Sequence, residues 1–218
     1  GVPEKKIEII SNWIDLESVH PVERKDNKLI DEFGLDSKKF IVVYAGNFGA
    51  AQGADVVIKA AMELQENKDI QFVIFGGGPY FEDAKKQANN LENVFIHELM
   101  PQNRISEVYS LGDIALITCK KGTGQAGMPS KTWSIMACNT PIVAAFDVGS
   151  ELDYILSSIN AGICIEPENP VKLRDCILEY KARSCFNRID ARKYVIERAS
   201  KEACVKKYLD MFKQACKN

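Results

Sequence analysis

Six short runs of apolar residues recur along this chain, each apolar along most of its length rather than at every second position. They fall at 40–45, 70–75, 94–97, 114–118, 141–145 and 162–165. A strand with one wet face alternates, whereas a strand covered on both faces does not. The stretches between the runs have helical periodicity: 55–66, 79–89, 103–110, 129–138 and 150–159. In the first of these, Val56, Val57, Ala60, Ala61 and Leu64 share one broad face. Pro79 and Pro129 suit the first turn of a helix, where a missing N–H costs nothing. Buried strands alternating with helices predict an α/β fold, a doubly wound parallel sheet of about six strands.

Both ends break the pattern. From 171 to 215 the sequence predicts three helices and no strand. The last carries Val205, Tyr208, Leu209 and Phe212 at helical spacing, either a core face or a face for a domain outside this chain. At the start, 7–10 reads as an edge strand. A polar stretch then runs to Asp36, long for a connection inside a compact domain and so a linker or flexible loop. Residues 1–36 are therefore expected to be a linker and lead-in, and 37–218 one ligand-binding domain with C-terminal helices.

Composition narrows the function classes. With 218 residues, 46% hydrophobic and 27% charged, the chain has enough material for a core. A net charge of -2 argues against a nucleic-acid partner held by a basic surface. No run approaches the ~20 apolar residues of a membrane span, and the first ten residues lack a signal-peptide layout. Cys119, Cys138, Cys164, Cys176, Cys185, Cys204 and Cys216 are scattered, without a Cys-x-x-Cys pair, and read as reduced thiols in a cytoplasmic setting. With only His20 and His97 beside them, no metal site is expected.

Ligands of such sheets bind beyond the carboxyl ends of the strands, so the loops there matter most. The first is Gly46-Asn47-Phe48-Gly49-Ala50-Ala51-Gln52-Gly53, which reads either as a plain reversal or as free amides before a helix, suited to phosphate. It lacks the Lys-Ser/Thr of a nucleotide phosphate loop. Gly76-Gly77-Gly78-Pro79 lacks the spacing of a dinucleotide fingerprint and fits a structural turn as well as a ligand loop. The loop 120–131 is the strongest feature. It is glycine-rich and ends Gly127-Met128-Pro129-Ser130-Lys131, placing a cation in the first turn of a helix. That opposes the helix dipole by roughly 0.3–1 kcal/mol and makes sense beside an anion. After the fifth run, Ser150 fits a helix cap, and Glu151 either lies in that first turn or accepts hydrogen bonds from sugar hydroxyls. No Ser/His/Asp set or carboxylate pair stands out for nucleophilic or general acid–base catalysis.

Taken together, these segments resemble the family 4 (group 1) retaining glycosyltransferases, in particular the branch associated with surface polysaccharide and O-antigen. The resemblance runs through Asn12-Trp13-Ile14-Asp15, the stretch from Tyr44 to Gly53, Phe75 to Pro79, Met128 to Lys131 and Met136 to Ala144. It implies one Rossmann-like half of a two-domain GT-B enzyme, the C-terminal donor-binding half. The N-terminal acceptor-binding half would precede Gly1. A nucleotide sugar, UDP more than GDP, is then the substrate, with no cofactor and no metal in the donor site. By resemblance Lys131 and Ser130 hold the donor diphosphate, with Lys131 stabilising charge on the departing group. Gly46, Asn47, Phe48 and Gly49 join them, with Gly127 and Met128. The base lies near Gly76 and Gly77 and the main chain of Glu98, Leu99 and Met100. Many relatives carry two glutamates eight positions apart where this chain has Ala126 and Ser134, so Ser134 or Glu151 would meet the ribose or sugar. Membrane contact, at the inner face, would come only through the missing half. A nicotinamide-dependent oxidoreductase, an epimerase of the same fold and a non-catalytic interaction module are the competing readings.

Overall fold

The computed structural model describes residues 1–3, 6–183 and 191–216. Its elements in chain order are α1 (Leu29–Glu32), β1 (Phe40–Asn47), α2 (Asp55–Glu63), β2 (Ile70–Gly77), α3 (Phe81–Ala88), β3 (Val94–Glu98), α4 (Ile105–Leu111) and β4 (Ile114–Thr118). They continue with α5 (Lys131–Ala137), β5 (Ile142–Ala145), α6 (Glu151–Ser158), β6 (Gly162–Ile165), α7 (Pro170–Ala182), α8 (Ala191–Arg198) and α9 (Lys201–Ala215). The strands form one sheet in the order β3-β2-β1-β4-β5-β6, every pair parallel.

Burial on both faces explains the unbroken apolar runs of the four central strands, while the edge strands β3 and β6 are only partly buried. In β1, Ile41 and Val43 face a layer containing Val108, Trp133 and Leu152 from α4, α5 and α6. Val42 and Tyr44 face the opposite layer, with Val57, Phe81 and Ile177 from α2, α3 and α7. Each such side chain contributes about 1.5–3 kcal/mol, an upper estimate because unfolded chains already bury some surface. The chain leaves β1 for α2 on one side of the sheet and β4 for α5 on the other. The neighbouring carboxyl ends of β1 and β4 therefore form the switch point, where a crevice opens.

Two regions differ from the sequence reading, and at a third the structure chooses between its alternatives. Residues 7–10 form no strand, and the chain docks from Ser11 onward, with the Ile14 N–H donating to the Ala199 carbonyl at 2.9 Å. The stretch 16–36 packs down rather than looping free. Val19, Leu29 and Leu35 are buried in the core, and Asn27 donates to the Glu107 carbonyl at 2.7 Å. Arg24 pairs with Asp113 at 2.8 Å, and that carboxylate also accepts from the Ile41 N–H. Few apolar anchors amid polar residues hide such packing from a periodicity search. The apolar side chains of α9 are not core: Val205, Tyr208, Leu209 and Phe212 are exposed, Phe212 at 57%, and only Cys204 of that helix is buried. Ser150 caps α6 as expected, accepting from the Asp153 N–H. The six cysteines among the described residues are free thiols, and Cys185 lies outside those residues. Among the described residues no helix is long and apolar enough to cross a membrane.

Candidate functional site

Lys131 opens α5 and turns inward across the switch point. Its Nζ donates to the Ala45 carbonyl at 2.7 Å and lies over the Tyr44 ring, 4.8 Å from the centroid. No carboxylate pairs with it among the described residues. Burial without a counter-charge lowers its pKa to about 8. The ammonium is thus mostly charged at neutral pH, with donors left over for an incoming acceptor.

That position dictates the residue beneath it. A Cβ on Gly46 would occupy the place of the Lys131 Nζ, so a bare backbone lets the ammonium settle on the strand end. The Tyr44 hydroxyl, its pKa raised to about 12 by burial, donates to the Asn47 carbonyl at 3.2 Å and closes the turn. The glycine near the end of β1 and the first lysine of α5 lie 85 positions apart in the sequence, yet they form one contact.

Two hollows meet at Lys131. The first, about 390 Å³, is lined by Gly46, Leu99, Met100, Ser130, Lys131 and Ser134 together with Trp13. The second, about 420 Å³, has Gln52, Thr123, Gly127, Met128, Ser130 and Lys131 on its walls. Ser130 and Lys131 are common to both, so a ligand running from one hollow to the other passes over them. The two positions that the resemblance singles out divide between them, Ser134 in the first hollow and Ala126 in the second. Among the described residues no cluster of three potential metal ligands occurs.

Other residues singled out in the sequence lie elsewhere. Phe48 is buried, edge-on to Tyr44 and tilted against Phe81, and its ring belongs to the core. Phe48 and Gly49 border a third hollow of about 380 Å³, with Tyr80 and Lys120, behind the first loop. Gly76 packs beneath the rings of Phe81 and Phe48, while a Cβ on Gly77 would touch Leu99 at 3.4 Å. Asn47, Glu98 and Glu151 line neither hollow at Lys131. Glu98 instead pairs with Lys85 at 2.8 Å, and Glu151 is exposed at the start of α6.

The sequence reading missed one wall. Asn12 and Trp13 come back over the first hollow, where Trp13 is 48% exposed and the Trp133 Nε1–H donates to Asn12 Oδ1 at 3.0 Å. Tyr194 of α8 stacks on the other side of Trp133. Asn12 and Trp133 are too far apart in the chain for any local pattern to join them.

The profile of glycosyl transferases group 1 matches residues 25–202. The chain belongs to the group 1 glycosyltransferases. Within that family it is 26% identical over 213 residues to a putative colanic acid biosynthesis glycosyl transferase, WcaI, of Escherichia coli K12, covering 96% of this chain and 52% of that protein. It is 28% identical over 177 residues to a probable glycosyltransferase, WbjE, of Pseudomonas aeruginosa, covering 80% and 44%. This group 1 chain therefore spans about half the length of the curated relatives it matches. A structure of Anabaena Alr3699/HepE, in complex with UDP and glucose, superposes with a TM-score of 0.76 at 16% identity, over 95% of this chain and 57% of that one. At that identity the likeness speaks for the fold. The glycosyltransferase family does not favour the oxidoreductase and epimerase readings.

Proposed function

We propose that this chain is the donor-binding half of a retaining glycosyltransferase. The intact enzyme moves a sugar from a nucleotide diphosphate sugar, UDP ahead of GDP, to a glycan or lipid-linked acceptor in surface-polysaccharide synthesis. The observation that carries the reading is the Lys131 ammonium, turned inward onto the end of β1 between two hollows that share Ser130. A diphosphate over Lys131 and Ser130 puts the nucleoside against Leu99, Met100 and Trp13, and the sugar toward Gln52 and Met128. As the glycosidic bond breaks, negative charge grows on the diphosphate. A preplaced ammonium in a partly enclosed site stabilises that charge more than it stabilises the bound donor.

The acceptor must be aligned by groups this chain does not supply. The relatives' greater length and the bare apolar face of α9 support a second half that packs there. This half alone binds donor and does not catalyse transfer, because alignment of the acceptor hydroxyl is assigned to the other half. The WcaI name supports the polysaccharide role. The intact enzyme then works on the cytoplasmic side, with any membrane contact made by the other half.

Calorimetry with UDP and GDP on the folded chain tests this. Measurable binding of UDP, stronger than of GDP, is the expected result; no heat with either nucleotide contradicts the reading. Lys131→Ala removes a charge-assisted hydrogen bond of roughly 1.5–3 kcal/mol, so UDP binding falls about ten- to hundredfold while uridine binding hardly changes. Equal losses for both ligands would remove Lys131 from the diphosphate.

A further inference from the structure

The loop between β4 and α5, residues 119–130, has two halves held very differently. Its first half is tied to three neighbouring loops. The Lys120 N–H donates to the Ala51 carbonyl at 2.9 Å, and the Thr123 hydroxyl reaches the same carbonyl at 3.2 Å. Asp147, buried just beyond β5, accepts from two loop amides at once, Gly122 N–H on Oδ1 at 2.9 Å and Gly124 N–H on Oδ2 at 2.8 Å. Glu168, beyond β6, pairs with the Lys120 ammonium at 2.6 Å and accepts from the Lys121 N–H at 3.1 Å. It does so from a left-handed backbone, φ 59°, which a residue with a side chain adopts at some cost. Gly124 sits so close that a Cβ would press on the Phe146 ring at 2.6 Å and Asp147 Oδ2 at 3.0 Å.

The second half is bare. The amides of Gly127 and Met128 have no acceptor among the described residues, and both residues line the second hollow beside Lys131. A carboxylate held against Gly122 and Gly124 uses up their donors and repels an anion from that half of the loop. Asp147 lines neither hollow at Lys131, so it acts through the loop rather than on a ligand.

We propose that Asp147 is a positioning residue: by clasping Gly122 and Gly124 it fixes the loop so that Gly127, Met128 and Lys131 present their donors to the diphosphate of the nucleotide donor. Glu168 is the second clasp on the same loop. The proposal rests on the donor-binding reading above and adds which side chain sets the loop. Neutralising the carboxylate leaves one acceptor oxygen for two amides and turns an NH2 group against the other.

The test uses the 218-residue chain and its Asp147→Asn and Glu168→Gln variants, with amide hydrogen exchange and calorimetry on each. In the ligand-free protein, Asp147→Asn speeds exchange of the hydrogen-bonded loop amides at 122, 123, 124 and 126 at least tenfold and leaves the β1 and β2 amides unchanged. UDP binding weakens about tenfold, uridine binding changes less than twofold, and Glu168→Gln gives a smaller loss of the same kind. Unchanged loop exchange in Asp147→Asn overturns the proposal, as does an equal loss of UDP and uridine affinity. If Asp147→Asn does not fold, Glu168→Gln decides by the same two readouts. Absence of UDP binding in the unaltered chain overturns the donor-binding reading instead, while the exchange result still decides whether Asp147 sets the loop.

Discussion

At the scale of single residues, the ammonium of Lys131 is held between a carbonyl and an aromatic ring with no carboxylate to offset its burial. Unfolded, a lysine titrates near 10.5; folded, burial brings Lys131 to about 8. Between those values the unfolded chain holds one more proton, so stability rises with pH through that window. Below it the buried charge is a standing cost on the order of 1–3 kcal/mol. Lys131→Met is therefore expected to raise the melting temperature at pH 7 by roughly 2–4 °C, even as nucleotide binding is lost. A lower melting temperature would show the ammonium to be a structural group. UDP affinity should be level near pH 7 and fall about tenfold per pH unit above pH 8, with uridine affinity flat across the same range. Gly46→Ala puts a methyl where the Nζ sits and displaces only the flexible end of a side chain. The variant should fold, bind UDP about tenfold more weakly by calorimetry, and keep its uridine affinity. Lys131 was legible in the sequence as a cation opening a helix after a glycine-rich loop. The requirement for glycine at position 46 was not, because it comes from a side chain 85 positions away.

At the scale of elements, the four central strands were legible because parallel strands buried on both faces leave unbroken apolar runs, and the partly buried edge strands β3 and β6 from the shorter apolar runs they keep. Their carboxyl ends, and hence the loops around the site, followed from that. The walls contributed by other segments did not follow. Asn12 and Trp13 reach the first hollow only because Ile14 docks against Ala199, a pairing across most of the chain. Phe48 and Gly76, read as ligand-loop residues, belong to an aromatic cluster with Phe81 that seats the loop on the sheet. Trp13→Ala removes an exposed indole from the hollow assigned to the nucleoside. Losing one stacked ring costs about 1–3 kcal/mol, so UDP and uridine binding should weaken together, about tenfold. Loss of UDP binding alone would mean that the nucleoside lies elsewhere.

At the scale of the whole molecule, α9 runs beside the lead-in segment, with the Cys204 thiol against the Ser11 carbonyl at 3.4 Å. Both leave apolar side chains in solvent: Tyr208, Leu209 and Phe212 from the helix, and Ile7, Ile9 and Trp13 from the segment. The helical spacing of the α9 residues was plain in the sequence, but spacing shows that a face is apolar and not what covers it. On the donor-half reading proposed above, this strip is where the second half would pack. In the full-length protein, Leu209→Asp with Phe212→Asp should abolish most sugar transfer while leaving UDP affinity within twofold. Full transfer activity in that double variant would place the second half on another surface.

The central claim is that Lys131 meets the diphosphate of the donor. A crystal structure of this chain with UDP tests it most directly. A phosphate oxygen is expected within hydrogen-bonding reach, about 2.7–3.2 Å, of the Lys131 Nζ, with the base against Leu99 and Met100. A well-ordered UDP with both phosphates out of reach of that nitrogen would contradict it.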